Sequence, residues 1–596
     1  MTLDLRTLLE WRIAVPADFS GDGESLLVAA DLPGTLQLYR VPAAGGALEQ
    51  LTDFSEPVWG TFVPGSGRIL LEMDEGGNER TQLYLLDAAP GAEPEPLVVE
   101  PDFIHRTAAV SRDGRLLAYS CNRRTGVDFD VYVRDLGTGD EIRAFAPGGW
   151  TEVAGFSPDG RLVAVLVRSA TRNADDDLYL VDHASGEVVH ASPHEGDAEF
   201  GAPAWLPDSS GFFAATNDGR DTVGIARYDL AGRAWDLVGE SEWDLECAID
   251  DRGRSLLVVA NEDGYSRLEL CDPATLWVRA EVPLPGRGVV DHPVFSPDGS
   301  RLAFFFTSPV ESGDVWVYEL ASGETRRLTD SPGAPTGDEL VEPTLYRFAS
   351  FDGEQVPVYL FEPAGEGPFP VVLDIHGGPE SQRRATFSPL TQHLVSRGYA
   401  VAAPNVRGST GYGKRYHHLD DVRLRLDSVR DLASLHDWLQ SRGGLDAERT
   451  VLYGRSYGGY MVLAGLAFHP ERWAAGIEFV GISSFVTFLE NTSGWRRAVR
   501  EVEYGSLERD REFLVEASPI THVDRIRVPL FIQHGANDPR VPLSEAKQIH
   551  RVLTRKGLRC ELVVYADEGH QIGKLGNRVD AFERAVAFLD GVLGSR

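Results

Sequence analysis

The chain has 596 residues and a mass of 65.3 kDa, a length that predicts about four domains. Lys and Arg number 57 against 91 Asp and Glu, which gives a net charge of −34. Binding to nucleic acid or to an anionic membrane needs a basic face, so we expect neither partner. Hydrophobic residues make up 42% and charged residues 25%, a composition that excludes wholesale disorder.

The cysteines and the N-terminus bear on redox compartment and targeting. Cys121, Cys247, Cys271 and Cys560 lie far apart and form no C-x-x-C pair, so neither a disulfide framework nor a zinc site is indicated. We expect no metal and no cofactor. The first twelve residues carry acidic side chains where a signal peptide has a basic segment and an apolar run. These features predict a cytoplasmic protein.

A turn followed by a short apolar run recurs along the first half of the chain. The turns are rich in Ser, Pro, Asp and Gly, and they begin 43 to 50 residues apart at Ser20, Pro64, Ser111, Ser157, Pro207, Asp250 and Ser296. A period in the forties, with strands and without a helical pattern, is typical of the four-stranded blade of a β-propeller.

A second alternating strand follows in several of these units, for example DVYVRD from Asp130. Alternation places the apolar residues on one face, where they can pack on the next blade. Two β-sandwiches would not need a constant period, and a β-solenoid has a shorter one. Residues 13–332 are therefore predicted to form a seven-bladed β-propeller, with residues 1–12 as an extension that packs on the second domain.

The pattern changes after Pro332, in a segment rich in Pro and Gly. Near-continuous apolar strands such as 369–375 and 451–453 now alternate with helical segments such as 427–439. This alternation predicts a mostly parallel sheet covered by helices on both faces. Residues 340–596 are predicted to form this second domain, so the expected number of domains falls to two.

Gly454-Arg-Ser456-Tyr-Gly458 matches G-x-S-x-G and lies between a predicted strand and an apolar helix. A nucleophile on such a tight strand-to-helix turn needs small neighbours, and the helix N-terminus behind it favours negative charge. The motif alone arises by chance in a glycine-rich chain. Its strand-to-helix context predicts that Ser456 is a nucleophile.

A serine nucleophile needs a general base and an acid that orients it, in the chain order Ser, Asp or Glu, His. Asp538 and His570 each follow an apolar strand, at the edge that carries ligands in open α/β sheets. We therefore predict Asp538 as the orienting acid and His570 as the base. Asp567 is a rival acid, but it lies in the same loop as His570. The rival bases are His534, His376 and His522.

The oxyanion that forms on attack needs two preorganised donors. The residue after the nucleophile, Tyr457, supplies one backbone N–H. The second is expected from the loop His376-Gly-Gly378-Pro that follows strand 371–375, because glycines let the backbone approach the reacting carbonyl. We predict the Gly378 N–H as this second donor.

Five motifs in order give the second half a family resemblance. They are HGGP from His376, NVRGSTGYG from Asn405, GRSYGGY from Gly454, HGANDPRVP from His534 and DEGH from Asp567. Together they resemble the prolyl oligopeptidase family of serine peptidases, and within it the acylaminoacyl peptidases and related bacterial oligopeptidases. The architecture of that family, a propeller followed by an α/β-hydrolase domain, agrees with the predicted fold.

The resemblance implies that short peptides are the substrates and that the propeller screens the site. It also implies that Arg540 holds a substrate carbonyl, the alternative being a surface salt bridge. Phe485, Phe488 and Trp495 are candidates for an apolar S1 pocket, the alternative being core packing. Whether the chain forms a homo-oligomer is left open.

Two departures from relatives narrow the activity. The dipeptidyl peptidase branch binds the substrate amine with neighbouring propeller glutamates, and residues 13–332 contain no Glu-Glu pair. Prolyl oligopeptidases proper use a tyrosine hydroxyl as oxyanion donor where this chain has the HGGP loop. We therefore expect a serine peptidase of the oligopeptidase or acylaminoacyl peptidase type. The alternatives are an esterase or amidase on a small metabolite, a dipeptidyl aminopeptidase, and a propeller scaffold with a silent hydrolase domain.

Overall fold

The computed structural model describes residues 2–335 and 340–594. The first part of the chain forms seven four-stranded antiparallel sheets, and the second part forms an eight-stranded sheet with helices on both faces. The expected fold, a seven-bladed β-propeller followed by an α/β-hydrolase domain, is confirmed.

Each blade consists of four consecutive strands in chain order. Blades 1 to 3 are β1 (Ala14–Phe19), β2 (Ser25–Ala30), β3 (Gln37–Pro42) and β4 (Glu49–Gln50); β5 (Val58–Val63), β6 (Arg68–Met73), β7 (Gln82–Asp87) and β8 (Glu95–Val98); and β9 (His105–Val110), β10 (Leu116–Cys121), β11 (Asp130–Asp135) and β12 (Glu141–Phe145). Blades 4 and 5 are β13 (Trp150–Phe156), β14 (Leu162–Arg168), β15 (Asp176–Asp182) and β16 (Val188–His190); and β17 (Ala204–Trp205), β18 (Gly211–Thr216), β19 (Gly224–Asp229) and β20 (Ala234–Gly239). Blades 6 and 7 are β21 (Leu245–Ile249), β22 (Leu256–Glu262), β23 (Tyr265–Cys271) and β24 (Val278–Glu281); and β25 (Val289–Phe295), β26 (Arg301–Ser308), β27 (Glu311–Glu319) and β28 (Glu324–Arg327).

The repeated turn joins the first two strands of each blade. In blade 4, the Ser157 hydroxyl donates to Asp159 at 2.6 Å and accepts the Leu162 N–H at 2.9 Å. Gly160 has a φ of 73°, a conformation that disfavours side chains. Short polar side chains and glycine thus build the turn, which explains the recurring Ser-Pro-Asp-Gly pattern.

The ring closes by packing between blade 7 and blade 1. Ala303 and Val315 of blade 7 share a buried cluster with Val28 and Val41 of blade 1. Because each blade is built from its own strands, apolar side chains between neighbouring sheets hold the ring together.

The sheet of the second domain has the strand order β29-β30-β32-β31-β33-β34-β35-β36. All strands from β32 to the β36 edge are parallel, whereas β29 and β30 are antiparallel to their neighbours. The bounds are β29 (Thr344–Ala349), β30 (Gln355–Phe361), β31 (Phe369–Ile375), β32 (Ala400–Pro404), β33 (Leu445–Arg455), β34 (Ala475–Phe479), β35 (Leu530–Gly535) and β36 (Cys560–Tyr565). The carboxyl ends of the parallel strands therefore lie at one edge, where ligands bind in such sheets.

Helices cover both faces of this sheet. They are α1 (Leu5–Leu9), α2 (Pro389–Ser396), α3 (Lys414–His417), α4 (Arg425–Ser441), α5 (Tyr457–Phe468), α6 (Phe485–Asn491), α7 (Gly494–Tyr504), α8 (Arg511–Ala517), α9 (Leu543–Arg555) and α10 (Leu575–Leu593), with short 3₁₀ segments at His418–Asp420, Val422–Leu424 and Pro519–Arg525. Within the described residues, no helix has the length and apolar character that a membrane span requires.

The N-terminal helix α1 packs on the second domain. Leu5 and Leu9 share a buried cluster with Val579 and Phe588 of α10. The Leu3 N–H donates to the Ser396 hydroxyl at 2.9 Å. The segment before the propeller therefore packs on the second domain.

Loops of blade 2 lie against the carboxyl edge of the hydrolase sheet. Asn537 donates its side-chain N–H to the Gly76 carbonyl at 2.9 Å. A Cβ added to Gly77 would lie 2.6 Å from the Gly569 nitrogen, and Gly77 has a φ of 71°. Only glycine allows this close approach, which brings the propeller next to the loop that carries His570.

Candidate active site

Ser456 occupies the sharp turn between β33 and α5. Its φ of 57° and ψ of −120° are unusual for a residue with a side chain. A Cβ on Gly454 would lie 2.3 Å from the Gly458 carbonyl oxygen, and a Cβ on Gly458 would lie 2.2 Å from the Ile375 oxygen. The two glycines are therefore required for the turn that presents Ser456 at the carboxyl edge of the sheet.

A chain of hydrogen bonds connects Ser456, His570 and Asp538. His570 Nε2 lies 3.0 Å from Ser456 Oγ, and His570 Nδ1 lies 2.8 Å from Asp538 Oδ2. The other carboxylate oxygen of Asp538 accepts the backbone N–H of Arg540 at 2.8 Å and of Val541 at 3.0 Å. The loop after β35 thus fixes the carboxylate, and the carboxylate fixes the imidazole ring.

The environment keeps the imidazole neutral and the carboxylate ionised. Burial lowers the pKa of His570 below its ordinary value, although the hydrogen bond and charge of Asp538 act in the opposite direction. Burial alone would raise the pKa of Asp538, but the hydrogen bond and charge of His570 lower it below its ordinary value. A neutral ring with its Nε2 towards the Ser456 hydroxyl can accept the proton of that hydroxyl.

The rival residues have other partners. Asp567 is largely exposed and pairs with Lys574 at 3.0 Å. His534 Nε2 lies 2.9 Å from the Val541 carbonyl, His376 Nε2 lies 2.9 Å from the Ser409 hydroxyl, and His522 Nε2 lies 2.8 Å from the Glu516 carbonyl. Asp567 thus pairs with a lysine side chain, His376 contacts a hydroxyl, and His534 and His522 contact backbone carbonyls.

Two backbone segments flank Ser456 where an oxyanion would form. Tyr457 is the first residue of α5, so its N–H has no acceptor within the helix. A Cβ on Gly377 would lie 3.3 Å from the Ser456 Cβ, which shows how near the HGGP loop comes. Gly378 follows with a φ of 125° and lines the same cavity as Ser456.

Ser456 and His570 open into a cavity of about 570 Å³ between the propeller and the hydrolase domain. The propeller contributes residues of blades 3 and 4, and the hydrolase domain contributes the HGGP loop, the nucleophile turn and α7. The lining residues are Arg106, Trp150, Glu152, Arg168, Gly377, Gly378, Glu380, Ser381, Arg455, Ser456, Arg496, Val499, Arg500, Arg540, His570 and Gln571.

Arg540 lies in this cavity, as the prediction of a substrate contact requires. Its Nε lies 2.5 Å from Glu79 Oε1 of the propeller. The side chain therefore makes an ion pair across the domain boundary at the site itself.

The three aromatic candidates for the S1 pocket lie outside the lining of the cavity. Phe485 and Phe488 are buried in the hydrolase core and pack against Tyr504, with ring centroids 4.8 and 5.9 Å away. Trp495 is buried against Trp150 of the propeller at 5.0 Å. Phe485 and Phe488 thus pack against the last residue of α7 in the hydrolase core, and Trp495 contacts the propeller.

Most of the charged residues that line the cavity carry no recognisable signal in the sequence. Arg106, Glu152 and Arg168 come from blade strands whose repeat pattern does not distinguish the strand ends that face the second domain. Arg496 and Arg500 belong to α7, which carries no motif. Arg455 could have been noticed, because it stands directly before the predicted nucleophile.

Two family models match this chain. One, described as the prolyl oligopeptidase N-terminal β-propeller domain, covers residues 73–331, and the other, described as the prolyl oligopeptidase family, covers residues 385–596. Both halves of the fold thus match models from the same group of proteins.

Individual proteins are similar over different parts of the chain. Dipeptidyl aminopeptidase BIII of Pseudoxanthomonas mexicana is 26% identical over 97% of this chain and 86% of its own. The acylamino-acid-releasing enzyme of Rattus norvegicus is 25% identical over 42% of this chain and 35% of its own. The structure of a puromycin-hydrolyzing peptidase of Mycobacterium tuberculosis has a TM-score of 0.87 at 21% identity, covering 100% of this chain and 96% of that one. At that identity the structural likeness speaks for the fold alone.

Proposed function

The chain belongs to the prolyl oligopeptidase family of serine peptidases, and from this premise we propose that it hydrolyses short peptides through an acyl-enzyme formed on Ser456. The expected family and the expected enzyme class, a serine hydrolase of the peptidase type, are confirmed by the matches to both domains. The roles of individual residues are the part that we propose.

In this mechanism His570 takes the Ser456 proton while the serine oxygen attacks the scissile carbonyl. Asp538 stabilises the imidazolium that forms, and the backbone N–H groups of Tyr457 and Gly378 bind the oxyanion. His570 then protonates the leaving amine. A water molecule then attacks the acyl-enzyme through the same steps and releases the acid.

The observation that carries the proposal is the hydrogen-bonded chain from Ser456 through His570 to Asp538 beside an interdomain cavity. The cavity, at about 570 Å³, falls within the range of roughly 300–1,000 Å³ that small-ligand sites occupy. A folded protein cannot enter such a space. Short or unstructured peptides are the substrates that fit it.

Dipeptide release from a free N-terminus is a second candidate, because the relative similar over 97% of this chain is named a dipeptidyl aminopeptidase. Against it, residues 13–332 contain no Glu-Glu pair. Glu152, the propeller glutamate in the cavity lining, lies 3.4 Å from Arg106. A carboxylate with its charge already compensated is a weak partner for an ammonium group, so oligopeptide hydrolysis is preferred.

The test is a panel of peptides from two to twelve residues, with blocked and free N-termini, cleaved by wild type and by Ser456→Ala. We expect cleavage of short blocked peptides by wild type and none by the variant. Release of dipeptides from free N-termini alone would support the second candidate. Hydrolysis of acyl esters without cleavage of any peptide would replace both with an esterase or amidase.

A cytoplasmic location and the oligomeric state stay predictions of the sequence. Fractionation of the native host and light scattering of the purified chain would test them. The narrower assignment to the acylaminoacyl peptidase type also stays a proposal, which the blocked peptides in the panel address.

A further inference from the structure

The cavity beside Ser456 is rich in guanidinium groups. Six of the lining residues named above are arginines. Four of these have a carboxylate partner: Arg106 with Glu152, Arg168 with Asp176, Arg500 with Glu380 and Arg540 with Glu79, at 3.4, 3.2, 2.8 and 2.5 Å. The cavity is therefore lined by four ion pairs and by two further arginines.

The remaining two cations, Arg455 and Arg496, have no carboxylate within ion-pair distance among residues 2–335 and 340–594. Arg455 donates one N–H to the His570 carbonyl at 2.7 Å, and its Nε is buried without a hydrogen-bond partner among the described residues. Arg496 lies over the Trp495 ring at 5.3 Å, and its Nε is likewise buried without a partner in the described structure. Buried donors without acceptors are costly unless a ligand satisfies them.

The surrounding charges make this surplus unfavourable without a ligand. Burial lowers the pKa of Arg496, and repulsion from Arg500 and Arg540 lowers it further, against the attraction of Glu79 and Glu380. Burial also lowers the pKa of Arg455, where Tyr453 and the charge of Asp538 act in the opposite direction and Arg540 adds repulsion. Guanidinium groups nevertheless stay protonated at neutral pH. An entering anion would relieve this repulsion, because both side chains line the cavity.

The positive cavity contrasts with the rest of the molecule. The chain as a whole has a net charge of −34. Two arginines that lack an ion-pair partner among the described residues are therefore unexpected in so acidic a protein. Guanidinium is also the group best suited to bind a carboxylate, because its donors match both carboxylate oxygens. Because these two arginines lie beside Ser456, we expect the anion that they bind to be part of the substrate.

We propose that Arg455 and Arg496 select peptide substrates that carry a carboxylate near the scissile bond, either an acidic side chain or the free C-terminus. The inference rests on the proposed peptidase function and specifies its substrate class. Arg455 directly precedes Ser456 and contacts the loop of His570, so a carboxylate held there lies next to the reacting centre. Arg496 on α7 faces the same space from another element.

Four matched peptides separate the two sources of the carboxylate. They share one blocked sequence with Glu or Gln beside the scissile bond and with a C-terminal acid or amide. For wild type we expect kcat/KM about tenfold or more higher for a carboxylate-bearing peptide than for its neutral counterpart. A preference for Glu identifies the side chain, and a preference for the acid over the amide identifies the C-terminus.

The variants Arg455→Gln and Arg496→Gln should reduce this preference towards one, whereas Arg455→Lys and Arg496→Lys should retain part of it. The control is Arg497→Gln. Arg497 lies on α7, the helix that carries Arg496, but it is exposed and pairs with Glu501 at 3.0 Å. This variant should keep the full preference. Fluorophosphonate labelling of Ser456 and the thermal unfolding temperature report whether each variant is folded.

Binding to Ser456→Ala keeps the inference testable if no peptide is cleaved. The Kd of the Glu peptide should be about tenfold or more below that of the Gln peptide, and Arg496→Gln in that background should remove the difference. Equal kcat/KM and Kd values for charged and neutral peptides would overturn the inference while leaving the peptidase assignment intact. A binding preference without any cleavage would overturn the peptidase assignment alone.

Discussion

Arg540 of the hydrolase domain and Glu79 of the propeller form an ion pair in the active-site cavity, with 2.5 Å between Nε and Oε1. The Arg540 backbone N–H also donates to Asp538 at 2.8 Å. One short loop thus orients the carboxylate that contacts His570, places a guanidinium group in the cavity and joins the two domains. The position of the propeller and the geometry of the triad are connected through this loop.

Removing the guanidinium group of Arg540 should weaken substrate binding more than it lowers the stability of the fold. If its guanidinium holds a substrate carbonyl, Arg540→Met loses a charge-assisted hydrogen bond worth about 1.5–3 kcal/mol, so kcat/KM should fall roughly 10- to 100-fold. Steady-state kinetics with a blocked peptide measures this. Arg559→Met is the control, because Arg559 makes an exposed pair with Glu561 at 2.9 Å. Equal kcat/KM for both variants would leave Arg540 with only its interdomain ion pair to Glu79.

Asp538 and Asp567 offer a direct comparison of two carboxylates near His570. Asp538→Asn removes the acceptor that fixes the ring and stabilises the imidazolium, so kcat should fall by about 10⁴-fold. Asp567→Asn removes an exposed contact with Lys574 and should change kcat by less than about twofold. The same peptide assay measures both. A large loss in Asp567→Asn would transfer the orienting role to the rival residue.

The pH dependence should report the titration of His570. As the pH falls through the pKa of this ring, the base becomes protonated and kcat/KM decreases. Burial lowers that pKa below the ordinary value of 6.5, so the acidic limb of the profile should have its midpoint below 6.5. Profiles for a neutral blocked peptide between about pH 5 and 8 would show it. A midpoint clearly above 6.5 would mean that another group limits activity.

The relative positions of Ser456, Asp538 and His570 could be predicted from sequence because each depends on a local signal. Ser456 lies on a glycine-rich turn, and Asp538 and His570 follow apolar strands that end at the same sheet edge. The propeller could be predicted because its turns repeat. These signals need only short stretches of chain, and the physical rules for strands and turns then place them in space.

The cavity lining could not be predicted in the same way. Whether Arg106 or Arg168 faces the site depends on how the propeller docks on the hydrolase domain, which no local pattern encodes. Phe485 and Phe488 illustrate the same limit within one domain, because an apolar residue after α5 shows the same sequence pattern whether it lines a pocket or packs in the core. The structure places both rings in the core against Tyr504.

Gly378 should be intolerant of a side chain for reasons of both conformation and space. Its φ is 125°, and an added Cβ would lie 2.6 Å from the Glu380 nitrogen. Gly378→Ala should therefore displace the proposed oxyanion donor and lower kcat by about 10²- to 10³-fold. Gly365→Ala is the matched control, with a φ of 104° and, in the part of the chain that the structure describes, no neighbouring atom within 4 Å of the added Cβ. It should lose some stability and keep its kcat.

A buried ion network below the nucleophile gives the last prediction. Arg425 on α4 is fully buried between Asp420 and Glu503, and Asp420 accepts the Tyr457 hydroxyl at 3.2 Å. Arg425→Met would leave two buried carboxylates without their cation, which should lower the free energy of unfolding by about 3–5 kcal/mol. Because Tyr457 carries a proposed oxyanion donor, kcat should fall as well.

Chemical denaturation and peptide kinetics on the same Arg425→Met preparation would measure the two effects. Arg430→Met on the same helix is the control, since Arg430 makes a partly exposed pair with Asp427 at 3.0 Å, a kind of pair worth at most about 1 kcal/mol. If Arg425→Met loses stability but keeps its kcat, the ion network does not control the position of Tyr457. Unchanged stability would show that Asp420 and Glu503 become protonated at little cost when the cation is removed.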